Sequence, residues 1–254
     1  MAFSKRVVAA VVGMQQSGKT YFCDQLIKQR QKIGGLGIVY NLGRDTDFES
    51  CNFAEVMTLE EHKKYYGKDN KQIVYYKDEN ENKKPFSSII YDAKGLKFVQ
   101  TEQAEEKQFF INIWRQVSNA VLIVDDCKTI FRHGLKQSHL NWFNRANHAG
   151  NKIVDKGWKN AGNDVYAVFH NLDEMPPFLW AYYTKVIQFR TNQEPFLNQL
   201  TNHEQRNEIL KAQQVLKELP RFSRAETIEN TNIEEPNPYE TIYYPTNDEP
   251  FILE

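Results

Sequence analysis

Residues 13–20 read Gly-Met-Gln-Gln-Ser-Gly-Lys-Thr, a complete G-x-x-x-x-G-K-[ST] phosphate loop. An apolar run at 7–12 precedes it, as expected of a buried parallel strand, and helical spacing follows over 19–32. The motif therefore lies at a strand-to-helix turn, where backbone N–H groups and the helix N-terminus attract an anion. The nucleotide-binding residues predicted from it are Gly13, Met14, Gln15, Gln16, Ser17, Gly18, Lys19 and Thr20.

ATP and Mg²⁺ are the cofactors expected at this loop. Lys19 is expected to reach the β- and γ-phosphates, and the Thr20 hydroxyl is expected to hold Mg²⁺.

The amino-acid composition and charge limit the class of protein to which the chain can belong. Of 254 residues, 41% are hydrophobic and 26% charged, which suits one globular domain with an appendage. The formal net charge is −1, so any DNA contact must come from a local basic patch, including one built by oligomerisation. The three cysteines form no C-x-x-C pair, and we expect neither a signal peptide nor a membrane span. The expected location is a reducing cytoplasm, and a membrane role would need a partner.

Residues 1–224 are expected to form one P-loop domain, with a β-rich insertion at about 43–100. Further strands are predicted at 37–42, 71–77, 86–92, 120–124, 164–169 and 183–189, and further helices at 101–119, 136–148 and 202–218.

The segment 225–254 differs in character, because it is acidic, contains four prolines and has no Lys or Arg. We expect a disordered or surface-draped tail. The alternative is that residues 239–244 and 251–253 dock onto a neighbouring subunit or a partner protein.

A second motif follows the strand at 120–124, where the apolar run ends in Asp125 and Asp126. This pattern predicts a Walker B strand, in which Asp125 holds Mg²⁺ beside Thr20 and Asp126 orients or deprotonates the attacking water. The alternative is an ordinary polar strand end. An Asn-Lys-x-Asp motif for reading guanine is absent from the sequence, so a GTPase is disfavoured.

Three further groups complete the candidate site. His170 follows the strand at 164–169 and can sense the γ-phosphate if that strand lies between the other two motif strands; it can also be a structural histidine. Arg145 and then Arg132 are the candidates for an arginine finger that acts on a neighbouring subunit, although each can be a solvated surface residue.

The polar segment at 151–163 contains Lys152, Lys156, Trp158 and Lys159. Lysines beside an aromatic ring suit a loop that tracks DNA, with charge for the phosphates and a ring for stacking. An ordinary exposed loop is the alternative.

The order of these features resembles the FtsK–HerA superfamily, particularly the genome-packaging ATPases of membrane-containing, double-jelly-roll viruses. The zonular-occludens-toxin-like ATPases of filamentous phage are similar too. The resemblance covers about residues 5–195. The family usually has Asp-Glu in Walker B and often Gln as sensor, where this chain has Asp126 and His170.

The resemblance implies an α/β fold of the RecA-like (ASCE) P-loop class, with a mostly parallel central sheet flanked by helices. It further implies ATP hydrolysis, a ring of six or five subunits, double-stranded DNA in the pore and capsid vertex proteins as possible partners in the host cytoplasm. Two alternatives stay open: a P-loop ATPase acting on protein assembly or secretion, and a small-molecule P-loop kinase. The kinase is disfavoured because the sequence shows no dense Arg cluster for a lid.

Overall fold

The computed structural model describes residues 7–32, 36–41, 55–57, 75–77, 83–85, 88–92, 120–131, 139–140, 143, 163–191, 203–229, 239–246 and 248–252. The chain divides into two compact units. The first comprises Met1–Arg6, Thr20–Asp125 and Arg132–Val165; the second comprises Val7–Lys19, Asp126–Phe131 and Tyr166–Glu254.

The described strands, in chain order, are β1 (Val8–Val12), β2 (Leu36–Asn41), β3 (Glu55–Met57), β4 (Tyr75–Lys77), β5 (Lys83–Pro85), β6 (Ser88–Asp92), β7 (Ala120–Val124), β8 (Asp164–Phe169), β9 (Lys185–Phe189), β10 (Arg224–Glu229), β11 (Tyr239–Tyr244) and β12 (Phe251–Ile252). The described α-helices are α1 (Lys19–Lys32), α2 (Cys127–Phe131) and α3 (His203–Glu218), and 3₁₀ helices cover Leu172–Glu174 and Pro177–Tyr182.

In the second unit, the strand order is β12, β11, β10, β9, β1 and the part of β8 that belongs to this unit. β1 pairs with β9 in parallel, with Val11 opposite Ile187, whereas β10, β11 and β12 continue the sheet in antiparallel fashion. Every residue of β1 is buried, as its uninterrupted Val and Ala side chains require of a central strand.

In the first unit, the order is β7, β2, β6 and β3, and all three pairings are parallel. Val39 of β2 lies opposite Ile90 of β6 on one side and Ile123 of β7 on the other. β4 and β5 form a separate antiparallel pair. The parallel sheet predicted from the sequence is thus confirmed.

The segment at about 43–100, predicted to be a β-rich insertion, contains β3, β4, β5 and β6. Of these, β6 pairs in parallel with both β2 and β3, so β3 and β6 extend the parallel sheet of the first unit. The strand predicted at 71–77 overlaps β4, which pairs with β5, and the strand predicted at 86–92 overlaps β6.

The expectation of a disordered or draped tail is wrong for the described residues, since β10, β11 and β12 belong to the sheet of the second unit. Glu226 of β10 is buried but accepts hydrogen bonds from Lys185 Nζ at 2.6 Å and Arg224 Nε at 2.9 Å. Tyr243 stacks on Phe251 with their ring centroids 5.1 Å apart. These segments therefore pack on their own chain, which explains how an acidic sequence remains ordered.

The predicted helices at 19–32 and 202–218 correspond to α1 and α3. The helix predicted at 101–119 and most of that at 136–148 lie outside the described residues. Among the residues that the structure describes, no helix has the length and apolar character needed to cross a bilayer.

Candidate active site

Backbone hydrogen bonds hold the phosphate loop to the ends of β8 and β9, the two strands on either side of β1. The Gly13 amide donates to the Phe169 carbonyl at 3.3 Å, at the end of β8, and the Met14 amide donates to the Arg190 carbonyl at 3.2 Å, just after β9. The loop therefore leaves the carboxyl edge of the sheet, the place where open α/β sheets bind ligands.

Two glycines are needed for the shape of the loop. A Cβ on Gly13 would lie 2.6 Å from Phe189 Cβ and 2.7 Å from Ser17 Oγ, so no side chain fits there. Gly18 has φ of 100°, a left-handed conformation that side chains rarely adopt. Gln16 also has a positive φ, 58°. The backbone consequently turns tightly around a small volume, as a loop that cradles phosphate must.

The polar groups of the loop suit a phosphate anion. Lys19 is buried, and its Nζ donates to the Gly13 carbonyl and, at 2.8 Å, to the Met14 carbonyl. Ser17 Oγ is buried without a hydrogen-bond partner among the described residues. Since α1 begins at Lys19 and has no acidic residue in its first turn, its N-terminus adds positive potential. An ammonium, an unpaired hydroxyl and a helix N-terminus thus meet at one place.

The predicted magnesium ligands are placed at element boundaries. Thr20 is the second residue of α1, and Asp125 directly follows β7; both are half-buried. No group of three or more His, Cys, Asp or Glu side chains in the described residues could hold a metal by itself. A hydroxyl and a carboxylate fit Mg²⁺, which usually completes its coordination with phosphate oxygens and water.

Asp126 occupies a constrained position between β7 and α2. Its φ is 48°, a left-handed conformation that is uncommon outside glycine but is tolerated by aspartate. Its Oδ2 accepts from Thr129 Oγ1 at 2.7 Å, and its carbonyl accepts from the Thr129 amide at 3.0 Å. The carboxylate is therefore held at the start of α2, and its predicted role towards water stays a prediction.

His170 begins the turn after β8, immediately beyond the carbonyl that anchors Gly13. Its Nδ1 is buried with no hydrogen-bond partner in the described part of the chain. His170 thus follows directly in the chain after the residue that holds Gly13, and its role as a sensor of the γ-phosphate stays a prediction.

Glu174 holds this turn and was not predicted as a site residue. Its Oε2 accepts from the backbone amides of His170 at 2.9 Å and Asn171 at 3.4 Å, and Lys128 Nζ of α2 donates to its Oε1 at 2.8 Å. Asn171 followed by Glu three residues later is a helix-start pattern that could have revealed this arrangement. Glu174 thus joins the helix after Asp126 to the turn that carries His170.

The electrostatics of this carboxylate follow from its surroundings. Burial raises the pKa of Glu174, but the hydrogen bond from Lys128 and those from the two amides lower it, and the net result lies below the ordinary 4.5. The same hydrogen bond to Glu174 raises the pKa of Lys128. Glu174 is therefore ionised at neutral pH.

Arg190 joins the loop to α3. While its carbonyl holds Met14, its guanidinium donates to the carbonyls of Leu216 at 3.1 Å, Leu219 at 2.9 Å and Lys217. The basic residue at the end of β9 is therefore a C-terminal cap of α3.

Six predicted site residues lie outside the described part of the chain: Arg132, Arg145, Lys152, Lys156, Trp158 and Lys159. Their proposed roles stay predictions.

Comparison with known proteins agrees with this geometry. The family model "Zonular occludens toxin (Zot)" matches residues 57–155, which is less than half of the chain. No curated protein matches the chain.

Solved structures match nearly its whole length. The genome packaging NTPase B204 of Sulfolobus turreted icosahedral virus 2, in complex with AMPPCP, is 13% identical with a TM-score of 0.57; the match covers 96% of this chain and 99% of that one. The same protein in complex with ATP-gammaS is 11% identical with a TM-score of 0.55, covering 98% and 97%. B204 of Sulfolobus turreted icosahedral virus, a DNA-packaging ATPase, is 15% identical with a TM-score of 0.54, covering 94% and 97%.

The chain has the fold of the genome packaging NTPase B204, and this fold is consistent with a P-loop NTPase. The predicted fold and the predicted resemblance, including that to the zonular-occludens-toxin-like ATPases, are confirmed. These matches agree with the predicted ATPase class.

Proposed function

We propose that this protein is a Mg²⁺-dependent ATPase that translocates double-stranded DNA and packages a viral genome into a preformed capsid. The observation that carries the proposal is the structure of the phosphate loop. Its backbone is hydrogen-bonded to the ends of β8 and β9, and Lys19 is buried and donates to the Met14 carbonyl of the loop. The loop lies in a fold that is similar over nearly its whole length to packaging NTPases.

The described residues can divide the chemistry among them. Amides of the loop and Lys19 would bind the phosphates. Thr20 and Asp125 would hold Mg²⁺, which would supply positive charge to neutralise the phosphates. Asp126, steadied by Thr129, orients a water molecule. Water attacks the γ-phosphorus, the bond to the ADP oxygen breaks, and ADP, phosphate and a proton are released.

Coupling of hydrolysis to DNA would require several subunits. In a ring of five or six copies, Arg145 or Arg132 would approach the nucleotide of the next subunit and stabilise the negative charge that develops on the transferred phosphoryl group. The loop containing Lys152, Lys156, Trp158 and Lys159 would face DNA in the pore. Because the net charge is −1, repetition of this patch around a ring would supply the positive field that one chain lacks. Capsid vertex proteins would anchor the ring in the host cytoplasm.

A second function is favoured by the match of residues 57–155 to the zonular occludens toxin family. In that case ATP hydrolysis would drive protein assembly or secretion, as the sequence resemblance to filamentous-phage ATPases implies. Turnover would then respond to a protein partner and not to DNA.

The test is ATP hydrolysis by the purified full chain, with and without long double-stranded DNA, at low and moderate salt. Strong stimulation that weakens with salt supports the DNA motor, because phosphate contacts are salt-dependent. Lys19→Ala should abolish turnover, and Asp126→Asn should keep ATP binding while blocking hydrolysis. If ATP hydrolysis is unaffected by DNA but increases when capsid protein is added, the protein is a motor that requires the capsid vertex for activity. Turnover unaffected by either would favour the second function.

A further inference from the structure

An exposed aromatic ring lies at the rim of the phosphate loop. Phe222, in the turn between α3 and β10, is 56% exposed, which is unusual for so large an apolar side chain. A Cβ built on Gly18 would lie 3.5 Å from Phe222 Cδ1 and 4.0 Å from Phe222 Cβ. The ring therefore borders the loop and leaves much of its surface open to solvent.

The turn that carries this ring is fixed in place. The Ser223 amide donates to the Pro220 carbonyl at 3.0 Å, and the buried Ser223 Oγ accepts from the Thr246 amide at 3.3 Å. The next residue, Arg224, begins β10 opposite Phe189. The exposure of Phe222 is thus imposed by an anchored backbone and is not that of a loose chain end.

A cation accompanies the ring. Arg221 Nη2 donates to Gln16 Oε1 of the phosphate loop at 3.3 Å, and the Arg221 guanidinium carbon lies 5.8 Å from the centroid of the Phe222 ring. A positive charge and an aromatic surface therefore stand together at one side of an anion-binding loop. This combination suits a ligand that is both phosphorylated and aromatic.

We propose that Phe222 stacks against the base of the bound nucleotide, with Arg221 adding positive charge beside the phosphates. The inference rests on the proposed function and deepens it. Because Lys19 takes the β/γ end of the triphosphate, the nucleoside extends from the other end of the phosphate chain and leaves the loop across its rim. A stacked base would cover the ring surface that is now exposed, and stacking tolerates different bases because each has a π-face.

The experiment compares ATP with tripolyphosphate, which has the phosphates but no base, by isothermal titration calorimetry in the presence of Mg²⁺. Phe222→Ala should weaken ATP binding about tenfold and leave tripolyphosphate binding unchanged. Phe222→Trp should retain wild-type ATP affinity. Ile252→Ala is the matched control, because Ile252 is a comparably exposed apolar residue, 52%, on β12.

Each outcome is decisive. Unchanged ATP affinity in Phe222→Ala overturns the stacking. An equal loss of affinity for ATP and for tripolyphosphate in Phe222→Ala also overturns the stacking. Phe222 would then affect binding by shaping the phosphate loop and not by contacting the base. Wild-type protein that binds tripolyphosphate as well as ATP refutes base recognition but leaves the phosphate site intact. Wild-type protein that binds neither refutes the proposed function itself.

Discussion

Replacing Glu174 by Gln tests whether a carboxylate organises the turn that carries His170. The substitution keeps the size of the side chain and removes its charge. One amide oxygen can still accept from the backbone N–H of His170, now 2.9 Å from Oε2, but the other end becomes an NH₂ group that cannot accept from Lys128.

The expected loss of stability can be estimated from these contacts. Hydrogen bonds to a charged acceptor contribute about 1.5–3 kcal/mol, whereas those to a neutral one contribute about 0.5–1.5 kcal/mol. Lys128 adds little, because its side chain is 63% exposed and water screens the pair. Loss of about 1–2 kcal/mol is expected, which lowers the thermal midpoint by roughly 2–8 °C.

The pH dependence gives the sharper test. Because the pKa of Glu174 lies below its ordinary 4.5, the folded state holds the proton more weakly than the unfolded state. Its stabilisation is therefore complete above pH 4.5 and is lost as the pH falls through the lowered pKa. The difference between wild type and Glu174→Gln, measured by thermal unfolding, should be large near neutral pH and should shrink in acid.

The control is Glu249→Gln, since Glu249 is exposed in the segment between β11 and β12. It should leave the midpoint unchanged at both pH values. The proposed role of the Glu174 carboxylate is refuted if Glu174→Gln leaves the midpoint unchanged at neutral pH, as the control does. It is also refuted if Glu174→Gln lowers the midpoint by the same amount in acid as at neutral pH.

Substitutions at three other residues probe the loop, its anchor and the proposed finger. Gly13→Ala forces a Cβ to 2.6 Å from Phe189 Cβ and should destabilise by about 1–3 kcal/mol and abolish ATP binding; normal affinity by calorimetry would contradict the packing. Arg190→Ala should lower the thermal midpoint by several degrees, and Arg190→Lys should recover only part, because one ammonium cannot reproduce the spread of guanidinium donors; an unchanged midpoint would show that the cap is dispensable. Arg145→Ala should impair turnover and spare nucleotide binding to the isolated subunit, whereas wild-type rates would move the finger to Arg132 or elsewhere.

Short-range patterns in the sequence predict the local structure around the candidate site. The spacing of Gly13, Gly18 and Lys19 defines the phosphate loop, and β1, β7 and β8 appear as apolar runs because buried parallel strands need apolar side chains on both faces. These features depend on neighbours in the sequence, so they can be recognised without the fold.

For the segment 225–254, the alternation of buried and half-buried residues determines the structure more than the acidic composition does. In β11, Thr241 and Tyr243 are buried while the residues between and beside them are only half-buried, which is the period of a strand with one face on a core. That core is supplied by Ala212 and Leu216 of α3. An acidic segment can thus be ordered when its charged residues are paired or exposed and its alternate residues find an apolar surface.

The groups that shape the phosphate loop come from distant parts of the chain, which is why the sequence could not reveal them. Gly13 is held by Phe169, Met14 by Arg190, and the rim beside Gly18 is formed by Phe222. Each of these residues lies at the end of, or shortly after, a strand or helix that the fold returns to the same edge of the sheet. The motif predicts which atoms bind phosphate, but the ends of β8, β9 and α3 determine where the motif is held. Substitutions at these ends should therefore change nucleotide binding although none of them belongs to a recognisable motif.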